Sequence, residues 1–307
     1  MGIAWTLQIL GQGNDRPVGG SPMNVEIEIT EVMRSCGIMP PRYITFDGKI
    51  YRFGKNKSCW YVAHLHPVPV CVYGDWKSGI KRKYIHSQSV TPSERLQALK
   101  TIRALEKKRR DDQELQHQEA KLKAQKLWAE AKPAMFHDYL RQKQVLPLGI
   151  RVDQHNNLLI PLTDGEDIYS IQYIQPDGTK RFLKGGRTKG MFYRIKPQTG
   201  PEKLLICEGF ATGATLHMVT KLPVLVAFNS GNLKPVALAA RKRWPDTEFI
   251  ITGDDDRETD GNPGATKARQ AAIATGALVA LPRWPGDAPK HLTDFNDLAC
   301  WLNRGSL

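Results

Sequence analysis

The stretch EFIITGDDDRETDGNPGATKARQAAIATG, Glu248 to Gly276, decides how the carboxy-terminal third of the chain folds. A short β-branched run empties into three consecutive aspartates, an Asn-Pro-Gly turn follows, and an alanine-rich helical pattern closes the stretch. An acid cluster of that kind is a calcium loop, a magnesium site or a solvated turn. Counted from Asp256, the residues Asp256, Glu258, Asp260 and Gly261 fall at the first, third, fifth and sixth places of an EF-hand loop. The twelfth place requires a bidentate glutamate and holds Lys267, and a strand pattern stands where a helix should precede. Calcium is excluded. In extended backbone Asp254 and Asp256 project to one side while Asp255 points away.

Working outward, the same alternation recurs. KLLICE is a buried strand, FATGATLHMVT a helix, PVLVAF a strand and LKPVALAARKRW a helix; after the central stretch come the strand LVALP and the helix TDFNDLACWLN. Strands separated by helices predict a mostly parallel α/β sheet with right-handed crossovers, whose function gathers at the carboxyl edge of the strands. Glu208 stands there, followed by Gly209, which lets backbone or phosphate approach closely. Asp254 and Asp256 stand there too, and Asp294 and Asp297 open the last helix. Acids from three segments at one edge call for a divalent cation. Magnesium (or manganese) suits them, because it takes oxygen ligands, keeps waters and bridges to phosphates.

The composition agrees. Against 31 acids the 307 residues carry 44 Lys and Arg, a formal charge of +13 that suggests a polyanionic partner. No apolar run is long enough to span a membrane as a helix. The opening MGIAWTLQILGQGNDRPVGGSP has no basic flank, so it does not read as a signal peptide, and residues 1–22 read as an extension ahead of a pattern that starts at Met23. Five scattered cysteines (Cys36, Cys59, Cys71, Cys207, Cys300) make no disulfide framework, which points to a reducing compartment, the cytoplasm.

Upstream of residue 201 the chain divides into three. Residues 23–90 read as a small β-rich module with a hairpin signal at Asp47-Gly48 and a basic tail from Lys77 to Lys83. Its Cys59, His64, His66 and Cys71 form the only zinc-like set, too widely spaced for an ordinary structural site, so zinc is not expected. Trp60 and Trp76 read as core, with base stacking as the alternative. Residues 91–132 predict a charged helical linker, a solvated spacer joining two bodies. Residues 133–200 predict a meander turning at Asp164-Gly165 and Asp177-Gly178, with His137 a packed or capping residue. Its end carries Lys180, Arg181, Lys184, Arg187, Lys189, Arg194 and Lys196 with no acid between them and Phe182, Phe192 and Tyr193 interleaved. That pattern favours a phosphate-backbone track.

ICEGFATGATL, ITGDDD with its following helix, and TDFNDLA resemble the three signature segments of a Toprim domain, the fold of bacterial-type primases, topoisomerases and some nucleases. AEAKPAMFHDYLRQKQV and LLIPLTDGEDIYSIQYIQPDGTKRFLKGGRTKGMFYRI are similar to the segment that precedes it in primase-like proteins of phages and conjugative plasmids, and FDGKIYRFGKNKSCWYVAH to their amino-terminal module. The resemblance implies a Rossmann-like Toprim domain at 201–303 behind a small α+β domain, the long helix and the β-rich module. It also implies an enzyme that makes short RNA primers on single-stranded DNA from nucleoside triphosphates. Glu208 matches the strand-end glutamate that binds metal and acts as acid or base, Asp254 and Asp256 the metal-binding aspartates, and Asp294 and Asp297 the pair that completes the site. Lys180, Arg181, Lys184, Arg187, Lys189 and Lys267 fall on the nucleic-acid- and nucleotide-binding side. The zinc ribbon of replicative primases is missing, as is any GxxxxGK[ST] loop, so the helicase would be a separate protein. A Toprim metal-dependent nuclease uses the same acids, and a non-catalytic nucleic-acid-binding protein would need none of them.

Overall fold

Val25, Ile29 and Met33 recur at helical spacing, and all three are buried on one side of the first helix, α1 (Pro22–Ser35). They pack on a four-stranded antiparallel meander of β1 (Tyr51–Phe53), β2 (Cys59–His64), β3 (Val70–Asp75) and β4 (Ile80–Ile85), meeting Tyr61, Ala63, Cys71 and Tyr73. The computed structural model describes residues 22–66, 68–76, 78–86, 92–196 and 201–304, with the extension expected at 1–22 outside them except for Pro22. The chain forms two compact units, Met1–Arg109 and Arg110–Leu307.

The β-rich module opens with the helix α1, and two expectations for the first unit change. Asp47 makes an isolated bridge with His64, and the first strand pair, β1 with β2, begins only after the Asp47-Gly48 turn. The expected basic tail is strand β4 in its described part, with Lys81, Arg82 and Lys83 exposed along it; Lys77 lies outside the described residues. Cys59 and Cys71 turn toward the α1 core, whereas the parity of β2 puts His64 on the other face, so the zinc-like set does not converge.

Helix α2 runs unbroken from Pro92 to Glu130. Its last part is more than a solvated spacer: Ala120 and Ala124 are buried, against Leu159, Ile171 and Leu183. Alanines four apart make a narrow stripe that lets a helix sit close to a sheet.

That sheet is an antiparallel run of β5 (Lys132–Pro133), β6 (Arg151–Val152), β7 (Leu158–Thr163), β8 (Ile168–Ile174) and β9 (Lys180–Phe182), with the short helix α3 (Asp138–Gln142) between β5 and β6. The second sheet has the order β10-β12-β11-β13-β14, formed by β10 (Tyr193–Ile195), β11 (Lys203–Cys207), β12 (Val224–Val226), β13 (Glu248–Thr252) and β14 (Leu278–Ala280). All its pairs are parallel except β10 with β12. Helices α4 (Phe210–Thr220), α5 (Ser230–Arg243), α6 (Pro263–Thr275) and α7 (Phe295–Arg304) cover it on both faces. Strand alternation divides the core: Leu205 and Cys207 face α4 and the meander, while Leu204 and Ile206 face α5 and α6. Phe192 and Tyr193 are buried in these cores, which corrects their reading as stacking residues on the basic track; only Phe182 of the three is exposed. Among the described residues no helix is long and apolar enough to cross a membrane.

Candidate active site

Strands β11 and β13 lie side by side and end together, so Glu208 and Asp254 leave the sheet as neighbours. The backbone amides of Asp254 and Ser230 favour the ionised form of Glu208. Even so, Glu208 Oε1 and Asp254 Oδ1 are buried with no hydrogen-bond partner. Burial and then the Asp256 charge raise Glu208 to about 7. Burial and then the charges of Glu208 and Asp294 raise Asp254 to about 8.

The loop that follows is fixed by its own side chains. Asp255 points away from Asp254, as alternation requires, and accepts from Asn262 Nδ2 at 2.6 Å and Trp284 Nε1 at 3.1 Å. Asn262 caps α6 by accepting from Ala265 N at 3.3 Å and takes the Asp256 amide at 2.9 Å. Gly264 donates its amide to Asp256 Oδ2 at 2.8 Å. A Cβ at Gly264 would stand 2.5 Å from the Asp254 carbonyl oxygen, so glycine there sets how closely α6 approaches the acid.

Asp294 and Asp297 bracket the start of α7 as a reciprocal cap. Asp294 accepts from the Asp297 amide at 2.8 Å, and Asp297 reaches back to Thr293 N at 3.2 Å. Asp294 also accepts from Thr212 Oγ1 at 3.0 Å, and burial with the Asp297 charge raises its pKa. Both aspartates therefore have local structural work besides any part in the site.

Two residues that the sequence did not single out complete this edge. Lys143, just past α3, pairs with Asp297 at 3.1 Å; burial alone would lower its pKa, but the Asp297 charge and hydrogen bond raise it. Tyr139 has a buried, unpartnered hydroxyl whose pKa is raised by burial and by Asp294 and Asp297. Their spacing of four residues, on and just past a short helix, was the available signal, and it means nothing until α3 is placed against α7. His137 caps α3, accepting from Tyr139 N at 3.2 Å.

The basic residues divide. Lys180 on β9 keeps contact with solvent, yet desolvation of its ammonium and the Lys143 charge lower its pKa against the pull of Asp294, Asp254 and Asp297. It belongs to the acid edge. Phe182, two residues on, meets the edge of the Phe228 ring at 6.0 Å. Phe228 follows β12 with φ of 72°, a left-handed conformation unusual for an aromatic residue. Arg181 and Lys184 are exposed to solvent. Arg187 and Lys189 line a separate recess of about 720 Å³ with Arg110, His117 and Lys242. Lys267 lies on the exposed side of α6, with Nζ 3.3 Å from Gln270 Oε1.

Residues 203–304 match the Toprim domain family model, and the carboxy-terminal third of the chain is a Toprim domain. Over 304 residues the chain is 34% identical to a DNA primase TraC of Escherichia coli, covering 90% of this chain and 28% of that protein. A second Escherichia coli DNA primase TraC is 32% identical over 305 residues, 91% of this chain and 21% of that protein. The chain thus spans about a quarter of the length of these relatives. A solved DnaG primase catalytic domain bound to single-stranded DNA aligns at 11% identity and a TM-score of 0.36, over 62% of this chain and 69% of that one, a score too low to bear on function.

The Toprim domain is a divalent-metal-binding fold, generally for magnesium. Among the described residues no three His, Cys, Asp or Glu side chains already surround a common metal position. The donor set nevertheless fits a hard cation: two buried carboxylate oxygens, one on Glu208 and one on Asp254, lack any partner and repel each other.

Proposed function

We propose that this chain is a primase-type nucleotidyltransferase that extends short RNA primers on single-stranded DNA. The observation that carries the reading is the orphaned oxygen pair, Glu208 Oε1 and Asp254 Oδ1, at a sheet edge shared with Lys180 and Lys143. Buried acids without partners are costly, and they are tolerable where a bound cation and its substrate phosphates complete them.

Glu208, Asp254 and Asp256 would hold magnesium or manganese, which supplies activation of a 3′-hydroxyl and offsets the charge on the leaving pyrophosphate. Asp294 and Asp297, both already engaged, add negative field and hold Lys143 in place. Lys180 faces the triphosphate, and its desolvation strengthens each interaction it makes there. Arg181, Lys184, Arg187, Lys189 and Lys267 bind the nucleic-acid backbone through charge. Glu208 is placed to act as acid or base as well, by its position at the end of β11.

In this reading residues 201–303 are the catalytic domain and 133–200 the basic subdomain that feeds it, with 91–132 as connector and 23–90 as a separate module. The template is single-stranded DNA, the substrates are nucleoside triphosphates, a replicative helicase is the partner, and the working compartment is the cytoplasm. The similarity to proteins named DNA primase supports the choice of synthesis over cleavage.

The test is incubation of the protein with single-stranded DNA, labelled ribonucleotides and magnesium or manganese, beside Glu208→Gln. Short labelled products that disappear in the variant are expected. Metal-dependent shortening of the DNA, abolished by the same substitution, would replace the reading with a nuclease. Binding without turnover in both proteins would leave a nucleic-acid-binding protein.

A further inference from the structure

The amino-terminal sheet has two unlike faces. One meets α1 through Tyr61, Ala63, Cys71 and Tyr73. On the other, strand register aligns Arg52 of β1, Trp60 of β2, Gly74 of β3 and Lys81 of β4 in one row, and Val62, Val72 and Lys83 in the next. No acid occupies either row.

Gly74 is the key to the first row. A Cβ there would stand 2.2 Å from the Ile80 carbonyl oxygen and 3.1 Å from Trp60 Nε1, so the Trp60 indole lies close against bare backbone. Trp76 stacks on it, ring centroids 5.2 Å apart and planes inclined by 26°. The Trp76 amide donates to Ser58 O at 3.0 Å, which pins the turn that carries it. Trp60 is 5% exposed and Trp76 is 60% exposed, so the outer ring is braced from below and open to water. A large aromatic held flat in solvent gains little from hydrophobic burial and needs another reason to be there.

Positive charge surrounds it. Arg52, Lys81 and Lys83 are exposed on the same face, and Lys55 and Lys57 are exposed in the turn that leads to Ser58. Among the described residues none of these five has an ion-pair partner. A stacking ring among exposed bases, with the neighbouring Asp75 on the α1 side of its strand, is the chemistry that binds unpaired bases between phosphates, whatever their sequence.

We propose that this sheet face is a second single-stranded nucleic-acid site: an unpaired base stacks on the open side of Trp76, and Arg52, Lys81 and Lys83 meet the flanking phosphates. The site needs neither the Toprim acids nor metal, so it stands or falls apart from the primase reading.

The experiment uses the full chain with oligothymidylate in the presence of a chelator and without nucleotides. The strand quenches tryptophan emission in the wild type, and in Trp76→Phe, which keeps a stacking ring, that quench largely disappears while affinity is nearly retained. Trp76→Ala weakens binding roughly 5- to 100-fold, the range expected for loss of one stacked base. Wild type and Trp76→Ala bind an abasic strand of equal length alike, because only the backbone charge remains. Changing Lys81 and Lys83 to Glu together weakens both strands. An unchanged quench in Trp76→Phe overturns the proposal, as does a Trp76→Ala loss that is equal on the abasic strand. Every one of these readings is taken without metal or nucleotides, so failure of primer synthesis and failure of this site are told apart.

Discussion

The two sheets of the carboxy-terminal unit solve opposite electrostatic problems. The parallel sheet crowds acids at its carboxyl edge, where Glu208 and Asp254 keep unpartnered buried oxygens. The antiparallel meander spreads bases along β9 and the loop after it, where Arg181, Lys184, Arg187 and Lys189 lie open to solvent or line a recess. Like charges are tolerable in the second setting because water screens them, and costly in the first because it cannot. Function written in the buried acids should therefore be concentrated in single atoms. Function written in the exposed bases should be shared.

The sharpest break follows from that contrast. Glu208→Gln should lower primer synthesis by about 10²–10³-fold, the scale of removing one preorganised charge from an active site. The affinity for single-stranded DNA should be unchanged or slightly tighter, since a negative charge has gone. Turnover assays beside equilibrium binding separate the two, and an equal loss in both would mean that the acid edge serves binding.

The next effect is steric. Gly264→Ala places a methyl group 2.5 Å from the Asp254 carbonyl oxygen. Overpacking of that kind costs about 1–3 kcal/mol, so thermal unfolding should move down, and activity should fall further than stability because Asp254 moves with α6. Alanine is otherwise the better helix former, so an unchanged melting temperature would show that α6 can draw back from the acid at little cost.

A third test uses the raised pKa values of Glu208 and Asp254. Both groups hold protons in the folded protein that the unfolded chain releases near pH 4. Between there and the raised values the native state binds more protons than the unfolded one, so stability falls as pH climbs. Metal-free protein should therefore melt lower at pH 8 than at pH 5. Magnesium should restore more at pH 8, and Asp254→Asn should flatten the curve. The shift is expected at roughly 2–4 °C for each kcal/mol relieved. A melting temperature independent of pH and metal would contradict the crowding of acids.

The same contrast explains what could be read from the sequence. Short apolar runs ending in Glu208 and Asp254 are local signals, and alternation alone turns Asp255 away toward Asn262 and Trp284. Lys143 and Tyr139 were illegible because their meaning comes from the packing of α3 near α7, far along the chain. Phe192 and Tyr193 misled for the opposite reason: aromatics amid bases look like stackers, yet the strand places them in the core. Ala120 and Ala124 gave too faint a stripe to show that the end of α2 packs against a sheet.

The smallest effects belong to the bases, and they sharpen the comparison by being additive. Arg187→Ala and Lys189→Ala should each weaken single-stranded DNA binding modestly, without changing the pH or metal response. Removing one phosphate-neutralising side chain should reduce the slope of log affinity against log salt by about 0.7, because one fewer counterion is released. Arg187 and Lys189 share one recess. If both act only through backbone charge, the double substitution should reduce the slope by about twice that amount. Lys180→Ala should behave differently. Its ammonium is partly desolvated and senses Asp254 and Asp294, so it should cost nucleotide affinity and turnover more than template binding. If Lys180 instead follows the salt dependence of Arg187 and Lys189, it belongs to the exposed track, and the boundary between the buried and the screened regions lies one strand closer to the acids.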